Sequence, residues 1–207
     1  TGVLYFLYVA TYEAFLHRNF AGGFDRFAKL YLVLLGLAGL GLLLYLGLGS
    51  GPGLLGGYKD RTFTLAERVL SEFRIIWAYI GLMLRPSLPN FGLYHDDFVV
   101  STGIFKPMET AFAILGLVTV LVSAWLVRTR LPIVAFGIFW FFAGHSLEST
   151  IFPLELMHEH RNYLPSLGIM IVVGAALMSQ KMAGPKYRLL TSVGVFALFF
   201  YFALITH

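Results

Sequence analysis

The sequence contains no cysteine, which excludes disulfides, cysteine-ligated zinc, iron–sulfur clusters and thiol catalysis. Charge is scarce as well: Asp, Glu, Lys and Arg make up 13% of the 207 residues, against about 25% in an ordinary soluble domain. Hydrophobic residues reach 58%, an excess that excludes a soluble globular enzyme and assigns the surplus apolar surface to lipid. Glycines cluster at Gly36, Gly39, Gly41 and Gly47, but no Gly-Lys-Ser/Thr follows them, so they do not form a nucleotide loop. They suit close helix approach in a membrane instead. No HExxH spacing is present, which rejects a zincin. Acids and bases are missing from the middle of the apolar segments, which disfavours a transporter or a channel.

What is there is aromatic and apolar, with 20 Phe and 11 Tyr, rings that suit helix packing and the membrane interface. The net charge is +4, but the basic residues are spread along the chain, so they are read as orientation signals and not as a nucleic-acid surface.

A spanning helix needs roughly 17–25 mostly apolar residues. Ala28–Leu48, Met108–Val127, Pro132–Leu147, Leu164–Ser179 and Leu189–Thr206 fit or nearly fit, and Val3–Leu16 makes a shorter sixth. Pro107, Pro132 and Pro165 stand at helix starts, where a missing N–H costs nothing. The fold class predicted is an all-α polytopic membrane protein with six spans and one interfacial helix. It divides into 1–62 (two spans and a glycine-rich loop), 63–107 (a surface helix and a loop) and 108–207 (four spans with the loop 148–162). The first apolar run has no basic region or cleavage site before it, so it does not read as a signal peptide. Apolar helix lies against both ends of the chain, which is expected to be a piece of a longer protein.

The interfacial helix is Leu65–Leu84. Thr64 and Glu67 make a capping box at its start. Leu65, Val69, Phe73 and Ile76 oppose Glu67, Arg68, Ser71 and Glu72, which reads as an apolar face against a solvated one. Its continuous apolar run, Ile75–Leu84, is about 15 Å long and too short to cross a bilayer. With that helix non-spanning, loops 17–29, 128–131 and 180–188 fall on one side. They carry Arg18, Arg26, Lys29, Arg128, Arg130, Lys181, Lys186 and Arg188 against one acid, Asp25. Lys/Arg-rich short loops are cytoplasmic, so both chain ends and the segments 49–107 and 148–162 are expected outside, in a bacterial inner membrane.

Two outer segments concentrate polar groups. Arg85–Asp97 ends in His95, Asp96 and Asp97, which suit either a hard cation and a shared proton or a solvated turn. The second, Gly144–Pro165, carries His145, Glu148, Glu155, His158, Glu159, His160, Arg161, Asn162 and Tyr163. If helical, it puts Glu155, His158, Glu159 and Asn162 on one face, and points His158 and His160 to different sides. A divalent-ion site from Glu155, His158 and Glu159 is one reading; a paired network at membrane depth is another. Arg161 stands out, because a guanidinium fork matches phosphate, with His145 and Glu148 at the mouth of the preceding span.

The stretch Glu148-Ser-Thr-Ile-Phe-Pro-Leu, with Glu159-His-Arg-Asn-Tyr-Leu-Pro-Ser-Leu-Gly168 after it, resembles the distal membrane half of the TPR-containing transmembrane O-mannosyltransferases and their bacterial relatives, in the GT-C glycosyltransferase superfamily. Phe63–Pro107 is similar to that family's surface helix and Pro-interrupted loop, and the likeness covers about residues 60–180. It implies a polyprenyl- or dolichyl-phosphate sugar as donor and a protein or glycan as acceptor. It also implies that the catalytic carboxylates, in the first outer loop, and the TPR repeats lie outside this stretch. Arg161, His160, His158 and Glu159 are the candidates to meet the donor phosphate, with His145, Glu148, Glu155, Tyr163, His95, Asp96 and Asp97 as supporting candidates. Two other readings fit the residues: an O-antigen ligase or polymerase type of enzyme, and a non-catalytic subunit packed against other membrane subunits.

Overall fold

The computed structural model describes residues 2–17, 57–59, 61–85, 98–149 and 154–181, with isolated helical positions at 36 and between 189 and 204. Five α-helices run through the continuous stretches: α1 (Gly2–Tyr12), α2 (Leu65–Leu84), α3 (Glu109–Val127), α4 (Pro132–Glu148) and α5 (Ser166–Lys181). A π-helical turn, Glu13–His17, continues α1, and a 3-10 turn, Glu159–Asn162, precedes α5. Among the described residues there is no strand, only an isolated bridge between Gly103 and Lys106, so the described chain is all-α as expected.

Among the described residues one helix, α3, is long and apolar enough to cross a membrane. Its outer surface exposes Phe112, Leu115, Val118, Val122, Trp125 and Leu126. At its far end the Arg128 guanidinium lies 4.0 Å above the Trp125 ring, an arrangement suited to the edge of an apolar layer. Helices α4 and α5 are apolar but shorter, with 17 and 16 residues, or roughly 25 Å at 1.5 Å per residue against about 30 Å of hydrocarbon. Ala28–Leu48, apart from the single helical position 36, lies outside the described residues.

Helix α4 is the centre of the bundle and packs on α1, α3 and α5. Its crossing with α5 needs glycine on both sides. A Cβ on Gly137 would stand 2.6 Å from the Gly168 carbonyl oxygen, and one on Gly168 would collide with the Gly137 oxygen and reach 2.8 Å from the Phe141 nitrogen. Backbone presses on backbone there, so neither neighbour can yield as a flexible side chain would. Gly168→Val is therefore expected to lower the thermal midpoint in detergent by the equivalent of about 1–3 kcal/mol or more. Gly174→Ala, with nothing within 4 Å of the added carbon, should leave the midpoint unchanged or raise it.

Aromatic rings fill the rest of the core. Tyr8 stacks on Trp140 at 4.0 Å and Phe15 on Phe139 at 4.5 Å. Trp140 Nε1 donates 3.0 Å to the Leu164 carbonyl, tying α4 to the start of α5. Helix α2 opens with the expected capping box: the Thr64 hydroxyl accepts from the Glu67 amide, and the Glu67 carboxylate accepts 2.8 Å from the Thr64 amide. A buried polar chain joins α2 to α3: the Ser101 amide donates 2.8 Å to Ser71 Oγ, and Ser101 Oγ lies 2.8 Å from Thr110 Oγ1.

Candidate functional site

On the polar side of α2 only Glu67, in the capping box, stays at the surface. Arg68, Ser71 and Glu72 are buried at 0%, 0% and 2% exposure, in line with Ile75, Ile76 and Tyr79, which overturns the solvated face read from the sequence. Residues 68, 72, 75 and 79 recur at helical spacing and form a single stripe. The segment 154–162 and the end of α4 cover it.

Arg68 reaches furthest. Its Nη2 lies 2.9 Å from Glu72 Oε1, while its Nη1 donates to the Leu154 carbonyl and, at 3.3 Å, to the Glu155 carbonyl. Eleven residues on, the Tyr79 hydroxyl accepts from the His158 amide at 2.7 Å and donates to the His158 carbonyl at 3.2 Å. The Tyr79 ring stacks on His145 of α4, with centroids 5.3 Å apart and planes 16° apart. The Ser149 hydroxyl lies 3.4 Å from His145 Nδ1.

These bonds explain a second departure from the sequence reading. Residues 154–158 are not helical, and only Glu159–Asn162 forms a turn. A chain whose carbonyls and amide are taken by Arg68 and Tyr79 is satisfied without i to i−4 bonds. The common helical face expected for Glu155, His158, Glu159 and Asn162 therefore does not exist. Nor do His158 and His160 diverge: their ring centroids are 4.7 Å apart. Glu155 stays with His158, its Oε2 3.7 Å from Nδ1, on a largely open surface.

Arg161 is drawn inward by the turn. Its side chain is 8% exposed, and its Nη1 donates 3.3 Å to the Leu156 carbonyl and lies 4.0 Å from Glu72 Oε1. Two guanidiniums thus share one carboxylate. His145 is buried at 2% exposure, and the Asn162 side chain approaches it. Tyr163 and His160 are exposed, Tyr163 at 86%. The side chains of Glu148 and Glu159 lie outside the described residues, as do His95, Asp96 and Asp97. Among the described residues no three His, Asp or Glu side chains gather as metal ligands.

Sequence reasoning selected Arg161, His145 and His158 but missed Arg68, Glu72 and Tyr79. One available signal was the Arg68/Glu72 pair at i, i+4, which can neutralise itself inside a protein, with Tyr79 seven residues beyond on the same stripe.

Burial raises the Glu72 carboxyl from its ordinary value near 4.5 to about 7, against the opposing pull of Arg68, Arg161 and the Ser149 hydroxyl. Burial likewise pushes the Tyr79 phenol up to about 12, so it remains a neutral donor and acceptor. With Glu72 bound to its proton more tightly when folded, its contribution is greatest below pH 4.5 and is lost as pH rises through 7. Followed by denaturant titration from pH 4.5 to 8, the unfolding free energy of the wild type should fall by a few kcal/mol relative to that of Glu72→Gln. A constant difference would place the carboxyl at its ordinary value.

Comparison of the chain with protein-family models, curated proteins and solved structures finds no match. The functional reading therefore stands on the residues and their arrangement.

Proposed function

We propose that the chain is a membrane glycosyltransferase, or part of one, that transfers a sugar from a polyprenyl-phosphate-type donor to a protein or glycan acceptor on the extracytoplasmic face. One observation carries the reading: Arg161 and Arg68 converge on the single carboxylate of Glu72. The cluster keeps at least one positive charge whether Glu72 is ionised or not. It lies beneath α2, the helix read as lying along the membrane surface. A phosphate entering there exchanges with Glu72 as the partner of Arg161, and the planar fork holds it bidentately.

In the reaction the acceptor oxygen bonds to the anomeric carbon as the bond from that carbon to the donor phosphate oxygen breaks. The acceptor proton passes to a carboxylate that the resemblance places outside this stretch. The negative charge of the departing phosphate is met by Arg161, held in place by Leu156 and Glu72, with the exposed His160 beside it. The topology that goes with this function has six spans and both ends outside, with 49–107 and 148–162 extracytoplasmic in a bacterial inner membrane. The apolar face of α3, and the basic residues Arg128 and Arg130 beyond it, support that orientation. Membrane vesicles containing the full-length protein, supplied with a radiolabelled polyprenyl-phosphate sugar, should release free polyprenyl phosphate and label an acceptor.

The seclusion of Arg161 favours a second reading, in which the Arg68–Glu72–Arg161 network only fastens 154–162 onto α2 in a non-catalytic membrane subunit. That subunit would co-purify in fixed ratio with other membrane proteins and would bind no lipid-linked sugar.

A further inference from the structure

On the other side of α2, against the first turns of α3, lies a cavity of about 500 Å³ separate from the arginine cluster. Trp77, Phe98 and Phe112 line it, together with the small side chain of Ala78. Arg74 and Glu109, opposite in charge, also line it. Arg74 is fixed: its guanidinium lies 4.9 Å from the Phe98 ring centroid, and Nη1 donates 2.8 Å to the Val99 carbonyl and 3.4 Å to Ser101 Oγ. Both bonds use Nη1, so among the described residues Nη2 and Nε keep their donors. Glu109 is exposed in the first turn of α3 and has no ion pair among the described residues. The cavity sits where the lipid-facing surface of α3 begins, and the adjoining loop exposes Val99, Ile104, Phe105 and Met108. A soluble ligand gains nothing from that apolar fringe; a molecule already in the bilayer meets it directly.

We propose that this cavity binds a zwitterionic glycerophospholipid with a primary ammonium headgroup, its phosphate on Arg74, its ammonium on Glu109 and the start of an acyl chain against Trp77 and Phe112. The charges select the headgroup. A purely anionic lipid satisfies Arg74 but meets the Glu109 carboxylate. A quaternary ammonium offers Glu109 no N–H to accept. The site is independent of sugar transfer and needs only that α3 lies in a membrane.

The test reconstitutes the full-length protein in vesicles of equal parts dioleoyl phosphatidylethanolamine, phosphatidylcholine and phosphatidylglycerol, extracts it in mild detergent and counts retained lipids by native mass spectrometry. One phosphatidylethanolamine per chain is expected, at least tenfold over either competitor. Arg74 also holds the Val99 loop, so the variants are placed elsewhere. Glu109→Gln should abolish the preference over phosphatidylcholine, and Ala78→Leu, which adds three carbons to the lining, should cut retention of every lipid severalfold. Equal retention of the three lipids, a preference for phosphatidylglycerol, or a phosphatidylethanolamine preference that survives both variants would overturn the assignment.

Discussion

Arg161→Ala is expected to reduce sugar transfer by a factor of about 100–1,000, the usual loss when one fixed donor to a developing anion is removed. The assay is release of polyprenyl phosphate by vesicles holding equal amounts of wild type and variant. Arg161→Lys keeps the charge but loses the planar fork, so it should recover part of the rate and little of the donor affinity. The side chain is buried against Leu156 and Glu72, so its loss also tests the structural alternative. Unchanged transfer from a normally expressed Arg161→Ala protein would sink the phosphate assignment. A protein that fails to accumulate would favour the fastening role, and Arg161→Lys then separates the two: under the fastening role lysine should restore normal accumulation, with no sugar transfer by either the wild type or the variant.

Arg68→Ala should have the largest effect on stability. It leaves the Glu72 carboxylate in a buried site with one partner at 4.0 Å in place of two, and it withdraws the donor to the Leu154 and Glu155 carbonyls. Breaking a buried pair from one side costs about 3–5 kcal/mol, and the freed carbonyls add to that. Chemical unfolding in detergent would measure the loss. The double variant Arg68→Met with Glu72→Leu removes both charges together and should recover much of it. If Arg68→Ala unfolds at the wild-type denaturant concentration, the pair is open to water and the buried-cluster description is wrong.

Local chemistry was legible in the sequence, and long-range partnership was not. The Thr64/Glu67 capping box can be read because its atoms lie within four residues, and α2 runs over the predicted Leu65–Leu84. Pro107 and Pro165 just ahead of α3 and α5, and Pro132 at the first position of α4, mark those helices for the same reason. Arg68 and Glu72 were misread because a charged helical face normally turns to water; its burial depends on a segment 86 residues further along supplying carbonyls. His158 and His160 were read as diverging on helical geometry, which fails once Tyr79 holds the His158 backbone extended. Of the site residues chosen from the sequence, Arg161 and His145 do gather, with Asn162 beside them. His160 and Tyr163 remain at the surface, and nothing in their own neighbourhood in the sequence distinguishes them from Arg161.

The two anchors on α2 act at a distance from one another. Arg68 and Tyr79 are separated by 11 residues, or about 16 Å of helix, and between them they grip the backbone from Leu154 to His158. A strap fixed at both ends to one rod cannot slide independently of it. Arg161, three residues past the second anchor, therefore rises and sinks with α2. If α2 rests on the bilayer surface, the thickness of the surrounding lipid sets the height of that guanidinium, and a thinner or thicker membrane would retune the site without altering any residue in it.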